Sequence, residues 1–550
     1  MPSWVLPFGR RSILALAILL LATSAGVVVA QPAAVSIPGH AVEVDRLLEQ
    51  GYRLERDGRW GEALSHYEEA LRKHPSDPSL LRRFEYVRVH YDLGRRLADR
   101  SFNTAVAQLP LDQALDLYEE VLLKIEGHYF EAPHWRQLVD RGIQGLQIAL
   151  DDPEFIARNL SRADANAVDH FRHELNSLYA SRDLRSRYDA RELAAEAARL
   201  AELRLKAPPT AIVLEFLCGA TNALDTYSAY LTPGQLGEVY AQIEGNFVGL
   251  GIEMKMDNER LLIVRVITGS PAQEAGIRAG DHITMVDGQP TQGLTTDQAA
   301  NLLLGEEGSV VTVSAVTPGR VPRDLRIRRR RVDVPSIDDV EMLDPASGIA
   351  YLRINCFQKS TARDIEAALW KLHRQGMRRL IIDLRGNPGG LLTAAVDAAD
   401  LFLDRGLIVS TRGRSTQEDF TYTARSGGTW NVPLVVLIDE NSASAAEIFA
   451  GAVRDHRRGT LVGTRTYGKG SVQGIFPLSM DGAGVRLTTA KFYSPQGRPY
   501  NRVGVEPDVV VHTTARPTEG LAGLPAASRD SILDAGVRTA QAWGRSVIRD

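Results

Sequence analysis

Apolar and polar positions change their spacing along the chain, and each change marks a new kind of region. Residues 1–30 end in an apolar run from Ile13 to Ala30, which follows Arg10 and Arg11. A basic start and an apolar stretch that ends in small residues are typical of a secretory signal, and the run is also long enough for a membrane anchor. The pattern predicts export, to the periplasm or facing the outside of a membrane, and leaves signal and anchor open.

Residues 41–150 and 151–238 have mainly helical spacing. In the first of these regions, small and large residues are placed so that two antiparallel helices can interlock: Gly51, Gly58, Ala63, Tyr67, Ala70 and Pro75. This segment resembles a tetratricopeptide repeat, and Leu111–Leu122 is a candidate for a degenerate second copy. A single repeat cannot bury its own face, so neighbouring helices must cover it. Two interpretations stay open: a docking groove for a protein partner, and a helical spacer or cap.

Residues 239–333 change to short β-type runs with glycine turns and one helix. The order of parts resembles a PDZ domain: a glycine-containing loop, the turn segment Ser270–Asp281, and a helix at Thr296–Leu304. The loop consists of Gly249, Leu250, Gly251 and Ile252. In such domains a peptide adds as a strand along the sheet edge, and loop N–H groups receive its terminal carboxylate. The resemblance implies that this region binds the C-terminal tails of proteins.

Residues 334–512 alternate strands with helices, which predicts an α/β core with a mixed sheet. Apolar runs at Leu380–Leu384 and Val432–Ile438 are predicted strands, and a helix follows the second. Its apolar positions recur at helical spacing and predict one inward face: Ala445, Ile448, Phe449, Ala452 and Val453. Ser444 therefore lies at a predicted strand-to-helix corner. Residues 513–550 are predicted to be a linker followed by an amphipathic helix.

Composition narrows the function classes. The chain has 550 residues and a net charge of −4, so no general basic field indicates binding to nucleic acid. Arg326 and Arg328–Arg331 form a local basic cluster, interpreted as the solvent side of a strand or a surface connection. The two cysteines, Cys218 in a helical pattern and Cys356 in a strand pattern, are predicted to be buried small hydrophobic residues rather than a disulfide. Without CxxC or HExxH spacing, the sequence predicts no metal or other cofactor.

Ser444 and Lys469 are the candidates for chemistry. A serine hydroxyl is a weak nucleophile and needs a base, and a desolvated, neutral lysine amine is one of the few side chains that can serve. For that role the pKa of Lys469 must fall by a few units from about 10.4, which burial can cause. Apolar neighbours in sequence make burial plausible: Tyr467, Val472, Ile475 and Phe476. Gly468 and Gly470 let the backbone bring the amine close.

Five motifs in order resemble the carboxyl-terminal processing, or tail-specific, protease family across most of residues 205–512. They are Leu224–Pro233, the PDZ segment, Asp383–Gly390, the segment around Ser444 and the segment around Lys469, and Lys491–Val511 extends the match. The resemblance implies a serine endopeptidase that cleaves proteins or peptides with accessible C-termini.

The family resemblance also implies individual roles. Ser444 would be the nucleophile, Lys469 the general base and Gln473 the residue that orients the lysine. The N–H groups of Gly390 and Ala445 would form the oxyanion hole. Asp455 matches an acidic position with an accessory role, and a hydrogen bond at the helix end explains this residue equally well.

This hypothesis has two alternatives. A trypsin-like protease needs a serine where this chain has proline in "GNPGG", and His456, 12 residues after Ser444, is interpreted as a surface or C-cap histidine. A catalytically idle scaffold that binds C-termini is the alternative from another class. The presence of serine, lysine and glutamine at family spacing argues against such a scaffold.

Overall fold

The computed structural model describes residues 38–160, 165–257, 260–294, 296–425, 427, 429–479, 482–512 and 530–542. The predicted signal or anchor at residues 1–30 and the predicted linker at 513–529 lie outside these residues. Among the helices that the structure describes, none is long and apolar enough to cross a membrane.

The N-terminal part is helical, as its spacing predicts. Its helices are α1 (Pro38–Arg56), α2 (Trp60–Lys73), α3 (Pro78–Ala98), α4 (Arg100–Gln108), α5 (Leu111–His128), α6 (Trp135–Ala149), α7 (Pro153–Asn159), α8 (Ala165–Ala180), α9 (Arg187–Leu205) and α10 (Pro209–Asn222). Helices α1 and α2 interlock by a small-to-large contact, since a Cβ on Gly51 would lie 2.1 Å from the Tyr67 ring. Every residue of α10 except its first is buried, which makes this helix the centre of the N-terminal core.

The next region contains a small β-rich domain. Its elements, with the segments that lead into and out of it, are β1 (Ala229–Leu231), α11 (Pro233–Glu244), β2 (Asn246–Gly249), β3 (Ile252–Asp257), β4 (Arg260–Val266), α12 (Pro271–Glu274), β5 (His282–Val286), β6 (Gln289–Pro290), α13 (Thr296–Leu303), β7 (Val310–Val316), β8 (Arg323–Arg328) and β9 (Arg330–Asp333). One sheet has the order β3-β4-β5-β7-β8, with β6 beside β5. Strands β2 and β9 pair antiparallel, so the chain enters and leaves the domain through one two-stranded ribbon.

The arginine cluster departs from its predicted surface position at one residue. Arg326, Arg328, Arg330 and Arg331 are exposed, but the Arg329 side chain is buried. Its guanidinium donates hydrogen bonds to the carbonyls of Leu302 and Leu303 at 3.1 and 2.8 Å. These carbonyls end helix α13 and have no partners within it, so a buried cation satisfies them.

The remaining residues form the α/β core. Its elements are β10 (Ile337–Asp344), β11 (Ile349–Ile354), α14 (Thr361–Arg374), β12 (Arg379–Asp383), α15 (Leu392–Asp400), β13 (Leu407–Gly413), a 3₁₀ helix (Thr416–Glu418), β14 (Thr421–Thr423), β15 (Leu434–Ile438), α16 (Ala445–Asp455), β16 (Gly459–Gly463), β17 (Ser471–Pro477), β18 (Gly484–Tyr493), β19 (Val509–Val510) and α17 (Ser531–Ala542). The main sheet has the order β10-β11-β12-β15-β16-β19, and a second sheet contains β1, β18, β13, β14 and β17.

Helices cover both faces of the main sheet. Helices α14, α15 and α16 share one hydrophobic core with it, and α17 packs on the opposite face, where a Cβ on Gly536 would lie 2.7 Å from the Leu437 side chain. The prediction of one inward face for α16 was too narrow, because its residues from Ala445 to Val453 are all buried. On the opposite face of α16, a Cβ on Gly451 would lie 2.0 Å from the Tyr500 hydroxyl. The segment of Tyr500 therefore covers a face of the helix that would otherwise be exposed to solvent.

Both cysteines are free thiols. Cys218 is buried in α10, as its helical pattern predicts. Cys356 differs from its prediction, since it lies beyond the end of β11 and is partly exposed.

Candidate active site

Ser444 lies at the corner between β15 and α16, as the sequence predicts. Its φ is +56° and its ψ is −114°, a backbone conformation that residues with a side chain rarely adopt. Strain of this kind persists only where the surrounding structure enforces it, and it is common at nucleophiles on strand-to-helix turns. The serine is partly exposed while Ala443 and Ala445 on either side are buried. The corner therefore exposes the Ser444 side chain to solvent and keeps its two neighbours buried in the core.

The glycine-rich loop after β12 packs directly against this corner. A Cβ on Gly389 would lie 2.8 Å from the Ser444 Cβ and 3.0 Å from the Ala445 nitrogen. Gly390 has a φ of +132° and forms a bridge with Phe357, in which the Leu391 N–H donates to the Phe357 carbonyl at 2.8 Å and the Phe357 N–H to the Gly389 carbonyl at 2.8 Å. The bridge leaves the Gly390 N–H out of its pairing.

The N–H of Ala445 is the first of α16 and has no acceptor within the helix. The two predicted oxyanion donors, on Gly390 and Ala445, thus belong to segments in direct contact. Asn387 joins these segments: its side chain accepts a hydrogen bond from the Gly389 N–H at 2.8 Å, and its carbonyl accepts one from the Ala443 N–H at 2.9 Å.

Lys469 lies in the loop between β16 and β17, and its amine faces an aromatic ring. The Nζ atom is 4.6 Å from the centroid of the Tyr227 ring. Burial lowers the pKa of Lys469 to about 8, and the positive charge of Arg486 adds to this effect, whereas Asp225 and Glu447 oppose it. A lysine with this pKa is partly neutral near neutral pH and can accept a proton.

A buried carboxylate, missed in the sequence analysis, joins the serine to the lysine. Oε2 of Glu447 accepts hydrogen bonds from the backbone N–H of Ser444 and of Lys469, both at 2.8 Å. The two backbone nitrogens therefore lie no more than twice that distance apart. Oε1 accepts from the Gly468 N–H at 2.7 Å and from the Thr466 hydroxyl at 2.6 Å. Burial raises the pKa of Glu447, and these four hydrogen bonds to the carboxylate counteract the rise.

A sequence signal for Glu447 exists. Ser444 and Glu447 have the S-x-x-E spacing of a helix capping box, in which the glutamate accepts from the backbone N–H of the first residue. The sequence could not show that the same carboxylate also binds the loop of Lys469, because those partners lie 19 to 22 residues further along the chain.

Among the hydrogen bonds of the described residues, none joins Gln473 to Lys469. Its side-chain nitrogen donates to the Ser471 hydroxyl at 2.9 Å, the Ser471 carbonyl at 3.3 Å and the Thr488 hydroxyl at 3.4 Å. The residue lies on β17, where the pairing with β18 shifts between Val472 and Gln473. Because such a bulge redirects side chains, the spacing from the lysine does not determine where this amide points.

Asp455 and His456 lie at the other end of α16 from Ser444, 11 residues or about 16 Å along the helix axis. The Asp455 carboxylate accepts from the Ser494 hydroxyl at 2.6 Å and pairs with Arg498. His456 is the C-cap, as predicted, and its Nε2 lies 2.7 Å from the Leu407 carbonyl. Both residues hold neighbouring segments on the helix end, and neither belongs to the cluster around the serine.

The predicted tail-binding loop connects β2 to β3. The Leu250 carbonyl accepts from the Ala272 N–H and the Gly251 carbonyl from the Ile267 N–H, both at 2.9 Å, and the Leu250 side chain is buried in the domain core. Gly251 has a φ of +79°, and a Cβ there would lie 2.2 Å from the Ser270 Cβ. Glycine is thus required at this position by backbone conformation and by space.

Comparisons with known families agree with this architecture. A model described as peptidase family S41 matches residues 348–511, a PDZ domain model matches residues 262–315, and a tetratricopeptide repeat model matches residues 44–89. These matches confirm the predicted kinds of region: a helical part with a repeat, a PDZ domain and a protease core.

Curated relatives match about half of the chain. A carboxy-terminal-processing protease of Bartonella bacilliformis is 39% identical over 300 residues, which cover 53% of this chain and 68% of that protein. A carboxyl-terminal-processing protease of Synechocystis sp. is 37% identical over 292 residues, covering 52% of this chain and 68% of the relative. A solved photosystem II D1 C-terminal processing protease aligns with 74% of this chain and 95% of its own, at 26% identity and a TM-score of 0.39.

The similarity to the two curated relatives extends over two thirds of each of them, and the S41 match contains both Ser444 and Lys469. The chain therefore belongs to peptidase family S41, as a serine protease related to the carboxyl-terminal-processing proteases.

Proposed function

We propose that this protein is an endopeptidase in which Ser444 is the nucleophile and Lys469 its general base, and that its PDZ domain admits protein substrates by their C-terminal tails. One observation carries the catalytic part. A single oxygen of the buried Glu447 accepts from the backbone N–H groups of both residues, at 2.8 Å each. This arrangement keeps the strained serine corner and the lysine loop at one fixed spacing, as a nucleophile and its base require.

The proton follows a closed path in this mechanism. Neutral Lys469 takes the proton from Ser444 as the serine oxygen attacks the scissile carbonyl. The oxyanion that forms is stabilised by the N–H groups of Gly390 and Ala445. The lysine ammonium then passes the proton to the leaving amine as the C–N bond breaks. Water then attacks the acyl-enzyme while the same lysine takes a proton from it. The bond between the acyl carbon and the Ser444 oxygen breaks, the acid leaves, and the lysine returns the proton to the serine oxygen.

The face of the Tyr227 ring supports the charged intermediate of this cycle. An ammonium 4.6 Å from an aromatic centroid gains a favourable cation–π interaction, worth about 0.5–2 kcal/mol depending on its exposure to water. Burial favours the neutral amine before proton transfer, and the ring partly offsets the cost of the ammonium after it. The pocket therefore accommodates the amine in both of the protonation states that the cycle requires.

Tail recognition rests on the PDZ domain and on its glycine loop. Gly251 lets the loop adopt a positive φ and pack closely on Ser270, and the adjacent β3 offers an edge to which an extended peptide can add. We expect an unfolded protein with an apolar tail and a free C-terminal carboxylate to be cleaved at least about tenfold faster than the same protein with a C-terminal amide.

This experiment measures initial rates for the two forms of one protein substrate, with a short peptide that lacks the tail as reference and Ser444→Ala as the inactive control. Equal rates for the carboxylate and the amide would contradict tail reading. Cleavage of the short peptide at the normal rate would, in that case, leave the catalytic assignment intact.

The pH dependence of the reaction tests the base. Since only the neutral amine accepts a proton, kcat/KM for a short peptide is expected to rise about tenfold per pH unit at acidic pH and to level off above the pKa of Lys469, about 8. Arg486→Gln removes a positive charge that lowers this pKa, so its profile should move to higher pH. A wild-type profile that is flat from about pH 6 to 10, or that Arg486→Gln leaves unmoved, would argue against lysine as the base.

A further inference from the structure

The helical repeat touches the loop that carries Lys469. The Tyr467 hydroxyl donates a hydrogen bond to Oε1 of Glu68 on helix α2 at 2.8 Å, across 399 residues of sequence. One helical turn further along α2, the guanidinium carbon of Arg72 lies 4.6 Å from the centroid of the same tyrosine ring. Two side chains of the repeat therefore contact Tyr467: Glu68 binds its hydroxyl, and Arg72 packs on the face of its ring.

Tyr467 passes this contact on to the lysine pocket. The Tyr227 side chain is close enough to Tyr467 to raise its pKa, and the Tyr227 ring also lies against the Lys469 amine. The Tyr467 N–H donates to the Ser442 carbonyl at 3.0 Å, two residues before Ser444. One tyrosine thus connects the repeat to the wall of the base pocket and to the turn of the nucleophile.

The repeat also holds the segment of Tyr227 from a second helix. Arg88 on α3 donates to the carbonyl of Asp225 at 3.1 Å and to the carbonyl of Asn222. The Asp225 carboxylate in turn accepts from the N–H groups of Tyr227 and Ser228, both at 2.7 Å. Helices α2 and α3 therefore bind the two chain segments beside the lysine amine: α2 contacts the segment of Tyr467, and α3 the segment of Tyr227.

We propose that the helical repeat is part of the catalytic apparatus of this chain, and that Glu68 is a positioning residue that acts through Tyr467 and Tyr227 on Lys469. The inference rests on the proposed function of Lys469 as the base. It replaces the two open interpretations of the repeat, docking groove or spacer, with a third role within the molecule. The repeat keeps the pocket closed around the amine and keeps the aromatic ring at its face.

Burial and the charged groups around the Lys469 amine together set its pKa. Arg486 on β18 disfavours the ammonium, whereas Asp225 and the buried Glu447 of α16 favour it. Burial is the largest influence and lowers the pKa of Lys469. If Tyr467 is released, water gains access to the pocket and the amine binds its proton more tightly, so fewer molecules hold a neutral base.

Helix α2 offers a matched control for Glu68. Glu68 forms an ion pair with Arg72, four residues further along the helix, at 3.8 Å. Glu69 and Lys73 form the same kind of pair at 3.2 Å, with both side chains more than half exposed. Glu69→Ala removes a carboxylate and an ion pair of similar geometry without touching Tyr467. Glu68→Gln adds a second comparison, because its amide oxygen can still accept the Tyr467 hydrogen bond although the charge is gone.

The experiment compares full-length Glu68→Ala, Glu68→Gln and Glu69→Ala with the wild type. We expect Glu68→Ala to lower kcat for a short peptide roughly tenfold with little change in KM, since small displacements of catalytic groups cost rate rather than binding. Its pH profile should move to higher pH. Glu68→Gln should recover most of the rate, and Glu69→Ala should behave as wild type.

A second readout needs no activity. In the Ser444→Ala protein, the pKa of Lys469 is measured by NMR of isotopically methylated lysines, with Lys469→Arg identifying the signal. Glu68→Ala and Glu68→Gln remove the same charge, so a higher pKa in the alanine variant alone reports the changed position. A wild-type rate and an unchanged Lys469 pKa in Glu68→Ala would overturn the inference, as would a rate that Glu68→Gln fails to restore. A Lys469 pKa that responds to Glu68→Ala while Ser444→Ala still cleaves would reject the proposed nucleophile and leave the positioning role standing.

Discussion

Ser444→Ala and Lys469→Ala are each expected to lower kcat for peptide cleavage by roughly 10⁴- to 10⁶-fold, because a nucleophile and its base act as one unit. The double variant should be no slower than the slower single variant, since the second change removes nothing that still functions. Lys469→Met, which keeps most of the side-chain volume without the amine, should lose as much activity as Lys469→Ala. That result would separate the loss of the base from a loss of packing.

Lys491→Ala is the control for this series. Lys491 on β18 also places its amine over an aromatic ring, 4.3 Å from the centroid of Phe130. Its backbone pairs with Ser471, but among the described residues no side-chain hydrogen bond joins it to Ser444, Glu447 or Lys469. Its replacement should leave kcat within about twofold of wild type, as for most changes away from a functional site. Circular dichroism of all variants checks that they fold. A Lys469→Met protein with more than about a tenth of wild-type activity would reject lysine as the base.

The catalytic corner was predictable from local pattern. The apolar strand before Asn441 and the helical spacing from Ala445 onward place Ser444 between β15 and α16, and the structure has the corner there. Local spacing also located the repeat, since Gly51 and Tyr67 meet as small and large partners. These features depend on residues close together in sequence, where hydrophobic period is informative.

The rest of the site depends on contacts between distant segments. The bond between Tyr467 and Glu68 spans 399 residues, and no local period encodes it. The direction of the Gln473 side chain depends on a bulge in the pairing of β17 with β18, which the spacing of glutamine and lysine does not reveal. The surroundings of Lys469 differ for the same reason: the predicted neighbour Phe476 stacks on His128, and the ring at the amine belongs to Tyr227, more than 200 residues earlier.

Glu447→Ala should damage both activity and stability. Three backbone N–H groups and the Thr466 hydroxyl would lose their acceptor in a buried site, and each buried donor left unsatisfied costs about 1–3 kcal/mol. We expect the free energy of unfolding to fall by roughly 3 kcal/mol or more and kcat to fall about 10²-fold or more, because the spacing of Ser444 and Lys469 is no longer fixed. Urea unfolding and peptide cleavage measure the two effects.

Glu447→Gln separates charge from shape in this arrangement. The side chain keeps its size, but an NH₂ group replaces one of the two oxygens that accept hydrogen bonds in the wild type. This NH₂ group would face other N–H donors, so that side of the site must rearrange. Its activity should therefore lie between alanine and wild type. Glu440 is the matched control, since it also accepts from a threonine hydroxyl of the same loop, Thr464 at 3.0 Å, but at the surface. If Glu440→Gln and Glu447→Gln had the same activity and stability, the buried carboxylate would not be what holds nucleophile and base together, and the spacing would have to come from the packing of α16 alone.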